Sequence, residues 1–339
     1  MVTEQNNLFF LAGGAKLIKP MLAYEVEVNN FLSKNGLDGE KVTAAYREAI
    51  MNRLVTLMAQ GFRAEVKWDG TRVIAYTSEP FIMVLQNRHG VNYTIRLSDI
   101  AKGLQQLHGI WTLDSEAVYI NPETGREEFT PCQVRCSTQY PAPFLKQKYP
   151  LTLEIFDVLE HNGINLERRP YTERKLLLQK MLEGTDYPLK YVPYEADLLK
   201  EWKRVIESDL EGLIVKKWDS AYEHDRSYSW LKVKNWRFET CDVIGYTAGE
   251  NARAFFFGAL ILEKDGHYRG KAGSGFNDWE LRKWKDLFHA APKMQQPYSE
   301  QQVGESYTAI KTDAKVLVKY YQVTENKVLR FPIFVASNI

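Results

Sequence analysis

The feature that most constrains this chain is a change of hydrophobic period near residue 61. Over residues 41–60, Val42, Tyr46, Ile50, Leu54, Leu57 and Met58 fall on one helical stripe. Directly afterwards, Phe62, Ala64 and Val66 alternate with Arg63, Glu65 and Lys67, the two-residue period of a half-buried strand. Asp69-Gly70 signals a turn, and residues 72–76 resume strand character. Strand-like runs recur at 81–85, 111–119, 151–158 and 212–216, with helical stretches at 173–182 and 197–207. Strands at hairpin-like spacing mixed with helices predict an α+β fold with largely antiparallel sheets.

The texture changes after Lys234. Short strands are expected at 241–246, 255–262, 268–272, 316–323 and 331–335, interrupted by one helix at 277–289. Several short strands and one helix in about a hundred residues suit a small β-barrel of the OB-fold kind. The expected domains are therefore 1–238 and 239–339.

Composition narrows the function. With 44 Lys and Arg against 43 Asp and Glu, the net charge is +1. A generally basic nucleic-acid coat is excluded, so any polyanion must meet a local concentration of charge. Cys132, Cys136 and Cys241 support neither a disulfide framework nor a four-cysteine zinc site. The longest apolar run, 254–262, is too short to span a bilayer, and Glu4 sits where a signal sequence would carry positive charge. These features predict a soluble protein of a reducing intracellular compartment, cytoplasm or nucleoid, without a membrane partner.

Four segments carry candidate chemistry. The first is Lys67-Trp68-Asp69-Gly70 followed by Arg72, in which the K-x-D-G part alone arises by chance in roughly one chain in ten of this length. A lysine is a nucleophile only when neutral, and nearby cations lower its pKa. Arg72, Lys232 and Lys234 would do so if they shared its pocket. The same cations would then hold negative charge developing on an attacked phosphate. The second is Asp114-Ser115-Glu116, where strand alternation puts two carboxylates on one face, suited to magnesium or a ribose hydroxyl. The third is Glu211 to Lys216, a buried strand bracketed by acid and base, and the fourth is Trp230, Lys232 and Lys234 on one strand face. Taken singly, each also fits plain scaffold: a hairpin, a solvated strand edge, a core strand with charged ends, a lysine-protected edge strand.

In order along the chain, these segments resemble the covalent nucleotidyltransferase superfamily, and most closely ATP-dependent DNA ligases. Matches to that family's pattern are Lys67 to Arg72, Arg88-His89-Gly90, Asp114 to Glu116, Phe156-Asp157, Glu211 to Lys216 and Trp230 to Lys234. Residues 257–262 and 270–276 resemble the OB-domain signature of small archaeal ligases and of bacterial end-joining ligase modules. The resemblance implies an antiparallel-sheet nucleotidyltransferase domain followed by a small OB-fold domain. It also implies roles. Lys67 would carry AMP. Glu65 would meet the adenine amino group and Phe156 would stack on the base. Arg88 and Glu116 would hold the ribose, and Arg72 would contact the nucleotide and the nick phosphate. Glu116 and Glu211 would serve Mg²⁺, for which Mn²⁺ could substitute. Lys232 and Lys234 would grip the α-phosphate and the departing pyrophosphate. Arg72, Arg226, Arg269 and Lys271 would face DNA, the last two beside glycines that let a phosphate chain approach.

Three departures from the family pattern stand out. Ser115 replaces a glycine, and His224-Asp225 stand where Gly and Lys are usual. After Arg330-Phe331-Pro332-Ile333-Phe334 only residues 335–339 follow, without the basic residue that orients pyrophosphate. This leaves open slow adenylylation, substitution by a cation such as Lys319, or a truncated chain. The expected activity is that of a monomeric ATP-dependent DNA ligase that seals nicks in double-stranded DNA through lysyl-AMP and an adenylylated 5′ end. The rivals are an RNA ligase, an mRNA-capping-type nucleotidyltransferase, and a non-catalytic OB-containing DNA-binding protein.

Overall fold

The structure is a computed structural model and describes residues 18–28, 31–32, 36–79, 82–324 and 326–339. The first eleven residues, read above for a leader, and Phe81, at the edge of an expected strand, lie outside this set. By internal contacts the chain forms two units, residues 1–26 with 54–233 and residues 27–53 with 234–339. The division is thus not a single cut near residue 238. Residues 27–53 join the C-terminal part through aromatic packing: Tyr46 and Phe238 have ring centroids 5.5 Å apart, and Phe31 lies 5.4 Å from Tyr46. The Tyr46 hydroxyl also donates to the Lys234 carbonyl at 2.9 Å.

Helix α1 (Gly39–Ala59) realises the periodic stripe, with Val42, Tyr46, Ile50, Leu54 and Leu57 all buried. In the first unit, one sheet runs β1 (Leu22–Glu25), β10 (Arg226–Lys234), β9 (Gly212–Lys217), β2 (Phe62–Val66). A second runs β4 (Ile82–Gln86), β3 (Thr71–Glu79), β5 (Trp111–Tyr119), β6 (Leu151–His161), β7 (Ile164–Asn165), with β8 (Leu189–Tyr191) parallel to β6. The second sheet is otherwise antiparallel. The antiparallel expectation holds here, and β6 extends three residues beyond its expected end.

Helices α2 (Ser98–Leu104), α3 (Phe129–Ser137) and α5 (Tyr171–Met181) cover one face of the second sheet. Ile100, Leu104, Cys132, Cys136 and Leu178 pack there on Val73, Leu113, Leu153 and Ile155. In this unit α2, α3 and α4 (Pro143–Lys148) escaped the sequence reading because each is short. Helix α6 (Leu198–Glu207) starts where expected, its first turn capped by Asp197, which accepts from Leu199 N (3.0 Å) and Lys200 N (3.1 Å). All three cysteines are buried and unbridged.

The second unit carries a six-stranded antiparallel sheet, the OB-fold part of the chain. Its order is β13 (His267–Ala272), β12 (Leu260–Lys264), β11 (Arg237–Thr247), β15 (Lys315–Tyr320), β16 (Ile333–Ser337), with β14 (Tyr307–Ala309) also on β11. Helix α7 (Asp278–Ala290) opens on a capping box between Asn277 and Glu280 and buries Trp284 and Phe288 against Phe257 and Leu260. A last short helix, α8 (Glu300–Val303), precedes β14. The expected strand at 255–262 is shortened. Asn251–Arg253 form a 3₁₀ turn, Phe255 is 79% exposed, and the strand begins only at Leu260. Among the described residues, no helix is long and apolar enough to cross a membrane.

Register places four charged residues in one row across the second sheet. Arg72 pairs with Glu116, Glu116 with Glu154, and Glu154 with Lys190. Glu154 is 3% exposed, and burial pushes its carboxyl up to about 7, opposed by a hydrogen bond from Thr152 Oγ1 and by the Lys190 charge. Between an ordinary value of 4.5 and this one, the folded state keeps a proton that the unfolded chain has lost. Stability therefore declines as pH rises through that window and levels off above it. Glu154→Gln keeps the acceptor for Thr152 and removes the charge. It should stabilise the fold by on the order of 2 kcal/mol at about pH 8 and leave it unchanged at about pH 4. Thermal melts at both pH values check this, and equal shifts at both would contradict the burial argument.

Candidate active site

Lys67 directly follows β2, and its backbone N–H bonds to the Gly212 carbonyl at 2.9 Å, next to the start of β9. That pairing brings Glu211 to it, and the Lys67 ammonium forms an ion pair with the Glu211 carboxylate. Burial pushes the amine down, but the charge and hydrogen bond of Glu211, with the charges of Glu116 and Asp69, outweigh it. The net result is an amine held above the usual lysine range. The expectation that cations strip its proton is thus not met in this geometry. The nearest charges are acids, and two of the expected cations are engaged elsewhere. Arg72 forks onto Asp114 through Nε and Nη2, each at 2.5 Å, and Lys232 Nζ lies 3.6 Å from Glu25.

The turn after Lys67 is locked from beneath. A Cβ on Gly70 would run into the Ala117 carbonyl and the Glu116 side chain, so the turn needs glycine for close approach to β5. Glu127, only 6% exposed, accepts from Asp69 N at 2.9 Å and from Glu211 N at 3.3 Å. One carboxylate thereby holds the backbone on both sides of the Lys67–Glu211 pair. Burial pushes that carboxyl up to about 7. Sequence reasoning missed Glu127. In Arg126-Glu127-Glu128, after a turn, it looks like a solvated loop acid, and nothing local marks it as buried.

Glu65 is buried rather than set on a half-exposed strand face, because β2 is covered on both sides. Its carboxylate takes Lys175 Nζ and Lys216 Nζ, each at 2.5 Å, and the Tyr171 hydroxyl. Lys175, also missed from sequence, is fully buried. Its pKa falls to about 8, driven first by burial and helped by Lys216, against the pull of Glu65. Phe156 is 8% exposed in a cluster with Met21, Tyr222 and Trp230. Two cations lie over its ring, Lys216 at 4.5 Å and Arg72 at 4.6 Å.

Asp114 is fully buried and saturated by Arg72 and by the Tyr222 hydroxyl at 2.6 Å. Glu116, on the same strand face, remains for ligand. Burial raises its carboxyl to about 8; Arg72 and Lys67 oppose this, and Glu211 and Asp114 add to it. Ser115 points the other way, its hydroxyl donating to the Val73 carbonyl at 2.6 Å, which accounts for its place where glycine is usual. Arg88 is exposed in the turn after β4 with its Nε on His89 at 2.9 Å, and no contact among the described residues joins it to Glu116.

The remaining basic residues are placed as follows. Lys234 and Lys319 both lie over the Trp236 ring, at 4.6 and 4.9 Å. Arg226 is exposed, donating to the Ala23 carbonyl at 2.6 Å and lying 5.5 Å from the Tyr24 ring. Arg269 is forked onto Glu239 at 2.6 and 2.7 Å, and Lys271 pairs with Glu305. The neighbouring glycines serve the fold. Gly275, at φ +98°, packs on the Phe334 carbonyl, and Phe334 N bonds to Ser274 O at 2.9 Å. Gly270, between Arg269 and Lys271, approaches Val328 and Leu329, so these close approaches are to the chain itself.

This donor set fits a nucleotide with a divalent cation. Glu116 and Glu211 both bear on Lys67, and Glu116 carries a burial cost that Arg72 and Lys67 offset only in part and that a cation would relieve. No group of three or more His, Cys, Asp or Glu poised for a metal occurs among the described residues. Two carboxylates that leave positions for phosphate and water are the usual Mg²⁺ arrangement. Around them, the indole N–H groups of Trp68 and Trp230 are buried without a protein acceptor.

Comparison with known proteins agrees with this geometry. The family model described as ATP dependent DNA ligase domain matches residues 41–234. The multifunctional non-homologous end joining protein LigD of Mycolicibacterium smegmatis is 29% identical over 251 residues, 71% of this chain and 31% of that protein. A DNA ligase of Thermoplasma volcanium is 30% identical over 277 residues, 75% of this chain and 45% of that protein. The chain thus spans about a third to a half of the length of these curated relatives. Among solved structures, a mycobacterial DNA ligase D complexed with ATP and MES shares the fold at TM-score 0.50 and 22% identity, covering 94% of this chain and 93% of that one. A Lig E DNA ligase shares it at TM-score 0.58 and 19% identity, covering 82% and 93%. With more than half of its residues matched by the family model, and with the order of charged segments around Lys67, this chain belongs to the ATP-dependent DNA ligase domain family.

Proposed function

We propose that the protein is an ATP-dependent DNA ligase that seals nicks between a 3′-hydroxyl and a 5′-phosphate in double-stranded DNA. The observation that carries this reading is the meeting of Lys67, Glu211 and Glu116 from three distant segments, with Trp68, next to Lys67 in the chain, packed on the Phe156 cluster. Lys67 Nζ, once deprotonated, attacks the α-phosphorus of ATP. A P–N bond forms and pyrophosphate leaves. The AMP then passes to the 5′-phosphate, and the 3′-hydroxyl displaces it. Glu116 and Glu211 would hold Mg²⁺ or Mn²⁺, which supplies charge neutralisation at the phosphates when bound. Lys232 and Lys234 are assigned to the phosphates, Phe156 and Glu65 to the base, Arg88 and Glu116 to the ribose. Residues 1–238, apart from 27–53 and 234–238, which group with the second unit, act as the adenylylation domain, and 239–339 belong to the OB domain of a monomer working in the cytoplasm or nucleoid. Arg72, Arg226, Arg269 and Lys271 form the DNA contacts, the last two after release from Glu239 and Glu305.

The central test is incubation with α-labelled ATP and Mg²⁺ on denaturing gels. Wild type should retain covalent label and Lys67→Ala none; label on both would remove Lys67 from its role. Parallel arms with GTP and with nicked RNA should be poor substrates, and a preference for either would favour a capping enzyme or an RNA ligase.

Because Lys67 is held above the usual lysine range, its neutral fraction at neutral pH is small and grows as pH rises. The kcat/KM for label uptake, which reports the enzyme before ligand binds, should therefore climb through the range from about pH 6 to 9 without a plateau. A rate that levels off below neutrality would mean that Glu211 no longer sets the amine.

Nick binding should go mainly through the DNA backbone and weaken steeply with salt, by at least about tenfold between roughly 50 and 200 mM. Fluorescence anisotropy with labelled nicked duplex measures it, and a flat response would contradict the contact assignment.

A further inference from the structure

The Lys67–Glu211 pair sits where the β2–β9 ladder runs out, just past the Lys67 N–Gly212 O bond. Asp69 lies in the turn between β2 and β3, and Glu211 stands one residue before β9. Their amide N–H groups converge on one side chain, Glu127, with Asp69 N on Oε2 at 2.9 Å and Glu211 N on Oε1 at 3.3 Å. Glu127 comes from the hairpin after β5, where it forms an isolated bridge to Ile120. It therefore reaches from an extension of the second sheet to the ends of β2 and β9 in the first.

We propose that Glu127 is a positioning residue for the nucleophile: by accepting from both amides it sets the distance between the Lys67 amine and Glu211, and so the aim of Lys67. This rests on the function proposed above and goes beyond it, since Glu127 holds the two segments through their backbone amides. The chemistry of the two acceptors makes the role specific. A carboxylate offers an acceptor to each N–H, whereas an amide of the same size offers one acceptor and one donor. Glu127→Gln must therefore set an N–H against an N–H at Asp69 or at Glu211. A small misplacement of a nucleophile lowers the rate of attack while leaving most substrate contacts intact.

The experiment compares wild type, Glu127→Gln, Glu127→Asp and Glu128→Gln. Glu128 is the control, as it sits on the same hairpin and accepts from Asn121 Nδ2 at 2.6 Å. Two readouts are taken well below the melting temperature of each variant. In Glu127→Gln, hydrogen exchange should accelerate in the peptides that contain Asp69 and Glu211. The kcat for Lys67 labelling at saturating ATP should fall at least about tenfold, with KM for ATP changed less than about twofold. Glu128→Gln should match wild type in both. Should Glu127→Gln fail to fold, Glu127→Asp is read the same way, because it keeps two acceptors but is too short to reach both amides. Unchanged exchange, unchanged kcat, or a loss of rate no larger than the loss of folded protein overturns the proposal. A wild type that takes no label removes the function and this role together, whereas a labelled wild type beside an equally fast Glu127→Gln removes this role alone.

Discussion

An ammonium withdrawn from water needs a counter-charge, and here it comes from 144 residues away, where Glu211 meets Lys67. The pairing of β2 with β9 exists in a definite register, Val66 opposite Leu213, and that register decides which acid faces the lysine. A slip of one residue would turn Glu211 to the other face and leave a buried cation alone. The glycine at position 70 and the Glu127 carboxylate both serve this arrangement. One lets the turn press against β5, and the other ties the turn to the start of β9.

The same rule repeats around the site. Glu65 is matched by Lys175 and Lys216, Asp114 by Arg72, and Asp157 by Arg174 at 2.8 Å with both partners fully buried. Such pairs add little net stability over apolar packing, but losing one partner typically costs about 3–5 kcal/mol. Their effect is to hold long side chains in single positions.

The resting arrangement is also a restrained one. Lys67 is kept charged by the acid beside it, and two cations cover the Phe156 ring. For Lys67 to act as a nucleophile, Glu211 has to release the amine, and a carboxylate gives up an ammonium most readily in favour of a divalent cation. The raised carboxyl of Glu116 points the same way, as burial and neighbouring acids disfavour its ionised form until a cation is near.

Much of this was legible before any coordinates. The stripe from Val42 to Leu57 became α1, the run 111–119 became β5 residue for residue, and the ordered charged segments named the family. Glu127, Lys175 and the Asp157–Arg174 pair were not legible, because a charged residue in a polar context reads as solvated, and only its covering elements bury it. Nor was the affinity of residues 27–53 for the C-terminal unit, which rests on Tyr46 meeting Phe238. The sequence by itself determined most of the longer elements, their largely antiparallel character and the inventory of nucleophile, acids and cations, since these follow from local period and residue chemistry. Only the tertiary structure decided which acid answers which base, and with it the protonation of Lys67, since those depend on distances between strands far apart in the chain and on how completely water is excluded.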